Sequence, residues 1–207
     1  MEENGEDNTP GFWEYIEDFL DDSNNWFERA NKEIPFEQWT YESNGKKGNR
    51  TKGNRPRVSA YYSIYSSDIP SVVAELFSLI NEQLLHNEKF KHIELKEPLD
   101  SVLIHKYRTG FDYINWHSDR EAKDTYICGL SFGGVRKLGF RMIKKHEKKW
   151  HYDLASGSLY IMYPGCQNYF QHRIMKTVAK VQPAPRISFT FRQEKETNLK
   201  LMYNITK

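Results

Sequence analysis

The sequence predicts an α+β fold, with helices first and a β-sandwich or jelly roll of short strands after them. Two N-terminal stretches carry apolar residues at helical spacing. After Pro98 the texture changes to short segments of alternating apolar and polar residues. Gly110, Gly133-Gly134, Gly157 and Pro164-Gly165 separate these segments as turns do. A length of 207 residues suits one domain with a substantial core.

The elements follow in order. Residues 1–12 read as an acidic, disordered leader, with one domain over 13–207. Between Phe12 and Ala30, the spacing of Phe12, Trp13, Ile16, Phe19 and Leu20 predicts an amphipathic helix. Residues 43–57 read as a flexible basic loop, because NGKKGNRTKGNRPR (44–57) holds six basic residues, three Gly, three Asn and no acid. Val58 to Tyr65 reads as a tyrosine-rich strand. Residues 70–86 form a second helix, with Val72, Val73, Leu76, Phe77, Ile80 and Leu84 on one face and Pro70 near its start. Strands follow at Ser101–Tyr107, Thr125–Phe132, Leu138–Ile143, Ser158–Met162 and Arg186–Arg192.

Residues 1–22 hold nine acidic side chains and no Lys or Arg, so removing them takes the net charge from +2 to +11. A basic body suits a polyanionic partner, nucleic acid before an anionic membrane, or else is a solvated charged surface. Cys128 and Cys166 are far apart and in no metal-type spacing, which points to a reducing, intracellular compartment, nuclear or cytoplasmic. The polar start predicts no secretory signal, and no apolar run is long enough to span a membrane.

His117-Ser118-Asp119 and His172 carry the chemistry. Two imidazoles and a carboxylate on one face of an ion suit Fe(II) and leave positions open for co-substrate and O₂. Residues i and i+2 of an extended segment share a face, so the H-x-D pair supplies two ligands together. With seven histidines in the chain, one such pair by chance is unremarkable. His86, His92, His146 and His151 sit in charged stretches and read as surface residues. In Arg186-Ile-Ser-Phe-Thr-Phe-Arg192, Ile187, Phe189 and Phe191 share one face, and Arg186, Ser188, Thr190 and Arg192 the other. The arginines are about 20 Å apart at strand rise. They either lean together to grip a diacid by guanidinium forks or belong to a solvated edge strand. Tyr107 shares a strand face with Leu103 and His105 and can add a hydrogen bond to such a ligand.

Five blocks in order resemble the AlkB-type Fe(II)/2-oxoglutarate-dependent dioxygenases: PRVSAYY (56–62), SVLIHKYRTGFDYINWHSDRE (101–121), GLSFGGVRKLGFR (129–141), SGSLYIMYPGCQNYFQHRIMK (156–176) and PRISFTFR (185–192). The resemblance implies a double-stranded β-helix, or jelly roll, with N-terminal helices packed on it. It implies Fe(II) on His117, Asp119 and His172, with O₂ and 2-oxoglutarate as co-substrates. Arg186 and Tyr107 would bind the distal carboxylate, and Arg192 would lie nearer the metal. The implied activity is oxidative demethylation of N-alkylated bases (1-methyladenine/3-methylcytosine type) in DNA or RNA, yielding succinate, CO₂ and formaldehyde; a monomer is expected. His105 and Ser188 stand where the family commonly has Asn, both beside 2-oxoglutarate. Arg120 replaces an acidic residue often found after the metal Asp, leaving Glu121 as a candidate acceptor for a base amino group.

A methyl group on the Watson–Crick edge is reached only in a flipped or unpaired base. Tyr61, Tyr62 and Tyr65 are candidates for a stacking wall. Lys46, Lys47, Arg50, Lys52 and Arg55 are candidates for gripping phosphates. The stretch RMIKKHEKK (141–149) is either a second grip or a solvated hairpin. The same chemistry on a protein or small molecule, and a non-catalytic nucleic-acid-binding relative, stand as the alternatives.

Overall fold

A computed structural model describes residues 11–44, 50–178 and 182–193. Strand β1 (Trp13–Ile16) is followed by helix α1 (Ser23–Glu33) and the hairpin arms β2 (Thr40–Asn44) and β3 (Arg50–Asn54). Next come β4 (Val58–Ser63), α2 (Ser71–His86), β5 (Ser101–Tyr107), β6 (Ile114–His117), β7 (Ile127–Gly133) and β8 (Arg136–Met142). Then β9 (Lys149–Leu154), β10 (Leu159–Met162), the short α3 (Cys166–Tyr169), β11 (Phe170–Ile174) and β12 (Arg186–Arg192) complete the order.

Two sheets stack as a jelly roll. The larger runs β1-β10-β7-β12-β5-β4 and the smaller β6-β11-β8-β9; every pairing within them is antiparallel. Period-two alternation decides which side chain meets which layer. From the large sheet, Val102, Ile104, Cys128, Leu130, Phe132, Ile187, Phe189 and Phe191 face outwards. They join Val72, Val73, Leu76, Phe77 and Ile80 of α2 in one core. From the inner faces, Trp13, Tyr107, Leu138, Phe140, Leu154, Tyr160, Phe170 and Ile174 form a second core between the sheets. The site lies in this inter-sheet layer. No helix among the described residues is long and apolar enough to cross a membrane.

The α+β class, α2 and the strands at 101–107 and 186–192 agree with the sequence reading. The helix expected over Phe12–Ala30 does not. Trp13–Ile16 is a strand on the edge of the large sheet, paired with β10. Its indole stacks on Phe140 with ring centroids 4.2 Å apart and donates to the Tyr152 hydroxyl at 3.0 Å. Burial of that ring overrides the local spacing, and helix begins only at Ser23. Phe12, assigned to the leader, packs on Tyr169 and Phe170. The basic loop of 43–57 is corrected too: Arg50–Asn54 pairs antiparallel with Thr40–Asn44 as a hairpin, and Lys46 and Lys47 lie outside the described residues.

Candidate active site

β6 and β11 bring the two histidines together, with His117 directly opposite His172 in the register. Three residues of β11, from His172 to Ile174, oppose four of β6, from Ile114 to His117. Such a bulge re-aims side chains, and here all four residues of β6 line one cavity. Asp119 follows on the turn after β6. The Gln167 side chain accepts from its backbone N–H at 2.9 Å, and Ser118 Oγ donates to the Phe170 carbonyl at 2.8 Å. Both bonds tie this turn to the α3–β11 segment that carries His172.

One ligand atom from each of His117, Asp119 and His172 lies within 4.8 Å of the others, a group able to hold a metal ion. The protonation states suit a ligand set. Burial raises the Asp119 carboxyl, but Arg192, His172 and His117 outweigh it and hold it at about 2. Burial and the neighbouring His117 lower His172 to about 3 despite the pull of Asp119. At neutral pH the site therefore presents a carboxylate and, at His172, a neutral imidazole. Nδ1 of His117 lies 2.8 Å from the Asn115 carbonyl, an acceptor that fixes the proton there and leaves Nε2 free as a lone-pair donor.

The cavity, of about 300 Å³, lies between the sheets and extends from this triad to Arg186. A transverse row of polar residues underlies it, and His105 and Ser188 of that row form its floor. Ser59 of β4, His105 of β5, Ser188 of β12 and Ser131 of β7 are neighbours in register, and all are buried. Ser59 Oγ and His105 Nδ1 are 2.8 Å apart. Burial, then the charges of Arg57 and Arg192, push His105 well below its ordinary value, so it is neutral.

Arg186 is 1% exposed. Nη2 donates to Ser131 Oγ at 2.8 Å, while Nε and Nη1 find no partner and no carboxylate pairs with it among the described residues. Its guanidinium sits 5.2 Å from the centroid of the Tyr107 ring; Arg136 stands 5.4 Å from the same ring. A buried cation with open donors is costly unless an anion completes it. A dicarboxylate such as 2-oxoglutarate suits those two donors, as Fe(II) suits the His-Asp-His donor set.

The two arginines of β12, for which a joint grip on one diacid and a solvated edge strand were the alternatives, take different partners in the structure. Arg192 donates to Glu121 Oε1 at 2.6 Å and lies 3.3 Å from Asp119 Oδ2, so it buttresses the metal-side carboxylates. Glu121 is thereby engaged by Arg192, although it lines the cavity. Arg120 is exposed and is not among the lining residues. Tyr62 is corrected from stacking wall to core: it is buried with α2 behind the large sheet. Tyr61 lies on the cavity-facing side of β4 by alternation, as its register with Leu103 indicates, and Tyr65 is 83% exposed in the turn after β4. Of the basic candidates, Arg55 lines the cavity and stands 5.8 Å from the Trp39 ring, Lys52 is exposed on β3, and Arg50 begins β3.

Sequence reasoning missed Arg57 and Tyr160. Arg57 is buried, lines the cavity and donates to the Tyr113 carbonyl at 3.2 Å. Tyr160 also lines the cavity, and its ring lies flat over Gly129, where a Cβ would come within 2.0 Å of it. Gly129, a glycine inside an apolar strand, is the signal that could have pointed to such a close approach.

The comparisons with known proteins agree with this geometry. The model of the 2OG-Fe(II) oxygenase superfamily matches residues 13–192. Uncharacterized protein R406 of Acanthamoeba polyphaga mimivirus is 35% identical over 96 residues, 45% of this chain and 49% of that protein. Alpha-ketoglutarate-dependent dioxygenase alkB homolog 3 of Bos taurus is 27% identical over 194 residues, 88% of this chain and 64% of that one. DNA oxidative demethylase ALKBH2 of Mus musculus is 32% identical over 102 residues, 44% of this chain and 42% of that one. The chain thus spans about half the length of the curated relatives it matches. Among solved structures, a Trichoplax adhaerens prolyl hydroxylase has a TM-score of 0.61 at 11% identity, over 93% of this chain and 88% of that one. The structure of OsALKBH1 has a TM-score of 0.53 at 16% identity, over 88% and 97%; both likenesses show the shared fold. Because the family model spans residues 13–192 of 207, the chain belongs to the 2OG-Fe(II) oxygenase superfamily, and within it the chain is similar to the alkB homologues.

Proposed function

We propose that this protein is an Fe(II)- and 2-oxoglutarate-dependent dioxygenase that removes methyl groups from N-alkylated bases of the 1-methyladenine/3-methylcytosine type in DNA or RNA. The observation that carries the proposal is one cavity holding both a His-Asp-His donor set and a buried, incompletely bonded Arg186. Bound at His117, Asp119 and His172, Fe(II) supplies the activation of O₂ that decarboxylates 2-oxoglutarate to succinate and CO₂ and hydroxylates the N-methyl carbon. The hydroxymethyl group then leaves as formaldehyde: its hydroxyl proton is released, the C–N bond breaks, and that electron pair returns to the ring nitrogen as its lone pair.

The chain's own residues position these reactants. Arg186 offers Nε and Nη1 to the distal carboxylate of 2-oxoglutarate, with Tyr107 and Ser131 fixing the guanidinium. His105 and Ser188 occupy the floor where the family's asparagines commonly stand, and both retain hydrogen-bonding groups. Arg192 holds Asp119 ionised and in place. Arg55 and Arg57 line the same cavity and suit a nucleotide phosphate. Nucleic acid is favoured over a protein substrate by this cationic lining and by the names of the relatives, two of whose kind are DNA oxidative demethylases or alkB homologues.

The test is formaldehyde release from methylated single- and double-stranded DNA and RNA oligonucleotides with Fe(II), ascorbate and 2-oxoglutarate. Oligonucleotide-dependent formaldehyde is expected. Succinate formed without base repair would redirect the chemistry to another substrate, and no turnover with no iron binding would leave a non-catalytic relative.

A further inference from the structure

The smaller sheet has an outer face that the proposed reaction does not use. Inward positions of β8, β9 and β11 supply the inter-sheet core, so alternation turns Lys137, Arg141, Lys149, Asp153, Gln171 and Arg173 outwards. Trp116, on the bulged strand β6, lies across this face. Its ring reaches over β11 to β8, where a Cβ on Gly139 would stand 3.2 Å from Trp116 Cη2. The absence of a side chain at 139 lets the indole lie against the sheet. Two guanidiniums flank it, Arg173 at 4.3 Å and Arg141 at 4.5 Å from the ring centroid.

These two cations have no carboxylate partner among the described residues. Arg141 gives Nε and Nη2 to Gln171 Oε1 at 2.9 and 2.6 Å, which fixes its plane and leaves Nη1 available. Arg173 Nε is buried without a partner. Asp153, the one acid among the outward residues named, lies 3.5 Å from Lys137. Lys149 stands opposite Arg141 in the register. Like charges held around one ring repel unless an anion lies between or above them. Trp116 also lines the cavity beside His117, so the face is continuous with the cavity mouth.

We propose that this face, built on Trp116, Arg141 and Arg173, binds the sugar-phosphate backbone of the polynucleotide flanking the base held in the cavity. The inference rests on the nucleic-acid reading above and deepens it. An indole between guanidiniums offers charge for phosphates and a flat surface for a base, the combination that single strands require.

The experiment measures binding of a single-stranded oligonucleotide carrying one N-methylated base, by fluorescence anisotropy across a salt series. Wild type is compared with R141Q/R173Q and R141K/R173K, with thermal melting and 2-oxoglutarate binding as controls. Losing two phosphate contacts should weaken affinity about ten-fold and flatten the slope of log K against log salt by roughly one to one and a half. The lysine pair should keep the slope, and 2-oxoglutarate binding should not change in either. Unchanged affinity and slope in the folded glutamine variant would overturn the proposal. So would loss confined to an acidic peptide such as polyglutamate, which would assign the face to a protein partner. Should the double variant fail to fold, R141Q and R173Q are read singly, each expected to remove about half of the slope change. Wild type that releases formaldehyde from oligonucleotides while the variants bind them normally sinks this face alone; wild type that neither binds nor demethylates them sinks the nucleic-acid reading itself.

Discussion

Arg186 and Arg192 look alike in sequence and differ in what surrounds them. Arg192 has two carboxylates for partners, whereas Arg186 has a serine hydroxyl and the face of a tyrosine. Arg186→Met should therefore abolish measurable 2-oxoglutarate binding while metal binding at His117, Asp119 and His172 persists; calorimetry with Mn(II) in place of iron separates the two. His172→Ala should do the reverse and eliminate metal binding. His105 gives a pH prediction. Its folded-state value lies well below 6.5 because it is buried beside Arg57 and Arg192. Above pH 6.5 it is neutral in both folded and unfolded chains and has no effect on the balance. As pH falls below that, the unfolded chain takes up a proton that the folded one refuses, and stability is lost. His172 adds to this down to about pH 3. His105→Asn should thus lessen the fall in melting temperature of the metal-free protein between pH 7 and pH 5; an equal fall would show that His105 is not a titrating partner in unfolding.

At the scale of elements, β12 shows why so much of the site was legible. It is central, paired to β5 on one side and β7 on the other, so both its faces are buried and its alternation is clean. Arg186, Ser188, Thr190 and Arg192 share one face, as alternation implies, and all line the cavity; the alternative of a solvated edge strand fails because β12 lies between β7 and β5. β1 was misread because four residues are too few to display a period of two against the helical spacing around them, and its strand character comes from pairing with β10. Trp13→Ala should cost about 3–5 kcal/mol, read by denaturant unfolding. Arg57 escaped notice because nothing local distinguishes a buried arginine from an exposed one: its partner, the Tyr113 carbonyl, is 56 residues away. The contact of Arg192 with Glu121 spans 71 residues and was equally invisible. Arg136 is a further case. It is 2% exposed and donates to the carbonyls of Thr109, Gly110, Asp112 and Met175, pinning the connection that leads into β6. Arg136→Met should destabilise by about 3 kcal/mol or more, since it strands those acceptors.

Across the whole molecule, charge is distributed by layer. The cavity floor is neutral and polar, its Arg186 end is cationic, its metal end sets Asp119 and Glu121 against Arg192, and the outer face of the smaller sheet carries cations around an aromatic ring. Replacing Lys52 and Arg55 by Gln should weaken oligonucleotide binding and reduce its salt dependence, independently of Arg141 and Arg173 if the hairpin and the sheet face touch different phosphates. An unchanged salt slope would return the hairpin to plain solvated surface. The pairing of β6 has a wider meaning for the protein's lifetime. This strand sits at the edge of its sheet, is only four residues long, and is interrupted by a bulge, yet it carries His117 and leads directly to Asp119. An edge so short is held weakly by its own backbone and gains a cross-link to β11 when an ion joins His117 to His172. Iron starvation should then expose the 109–125 segment to proteases and to rapid amide exchange before the rest of the barrel opens, making turnover of the polypeptide itself a reporter of metal supply.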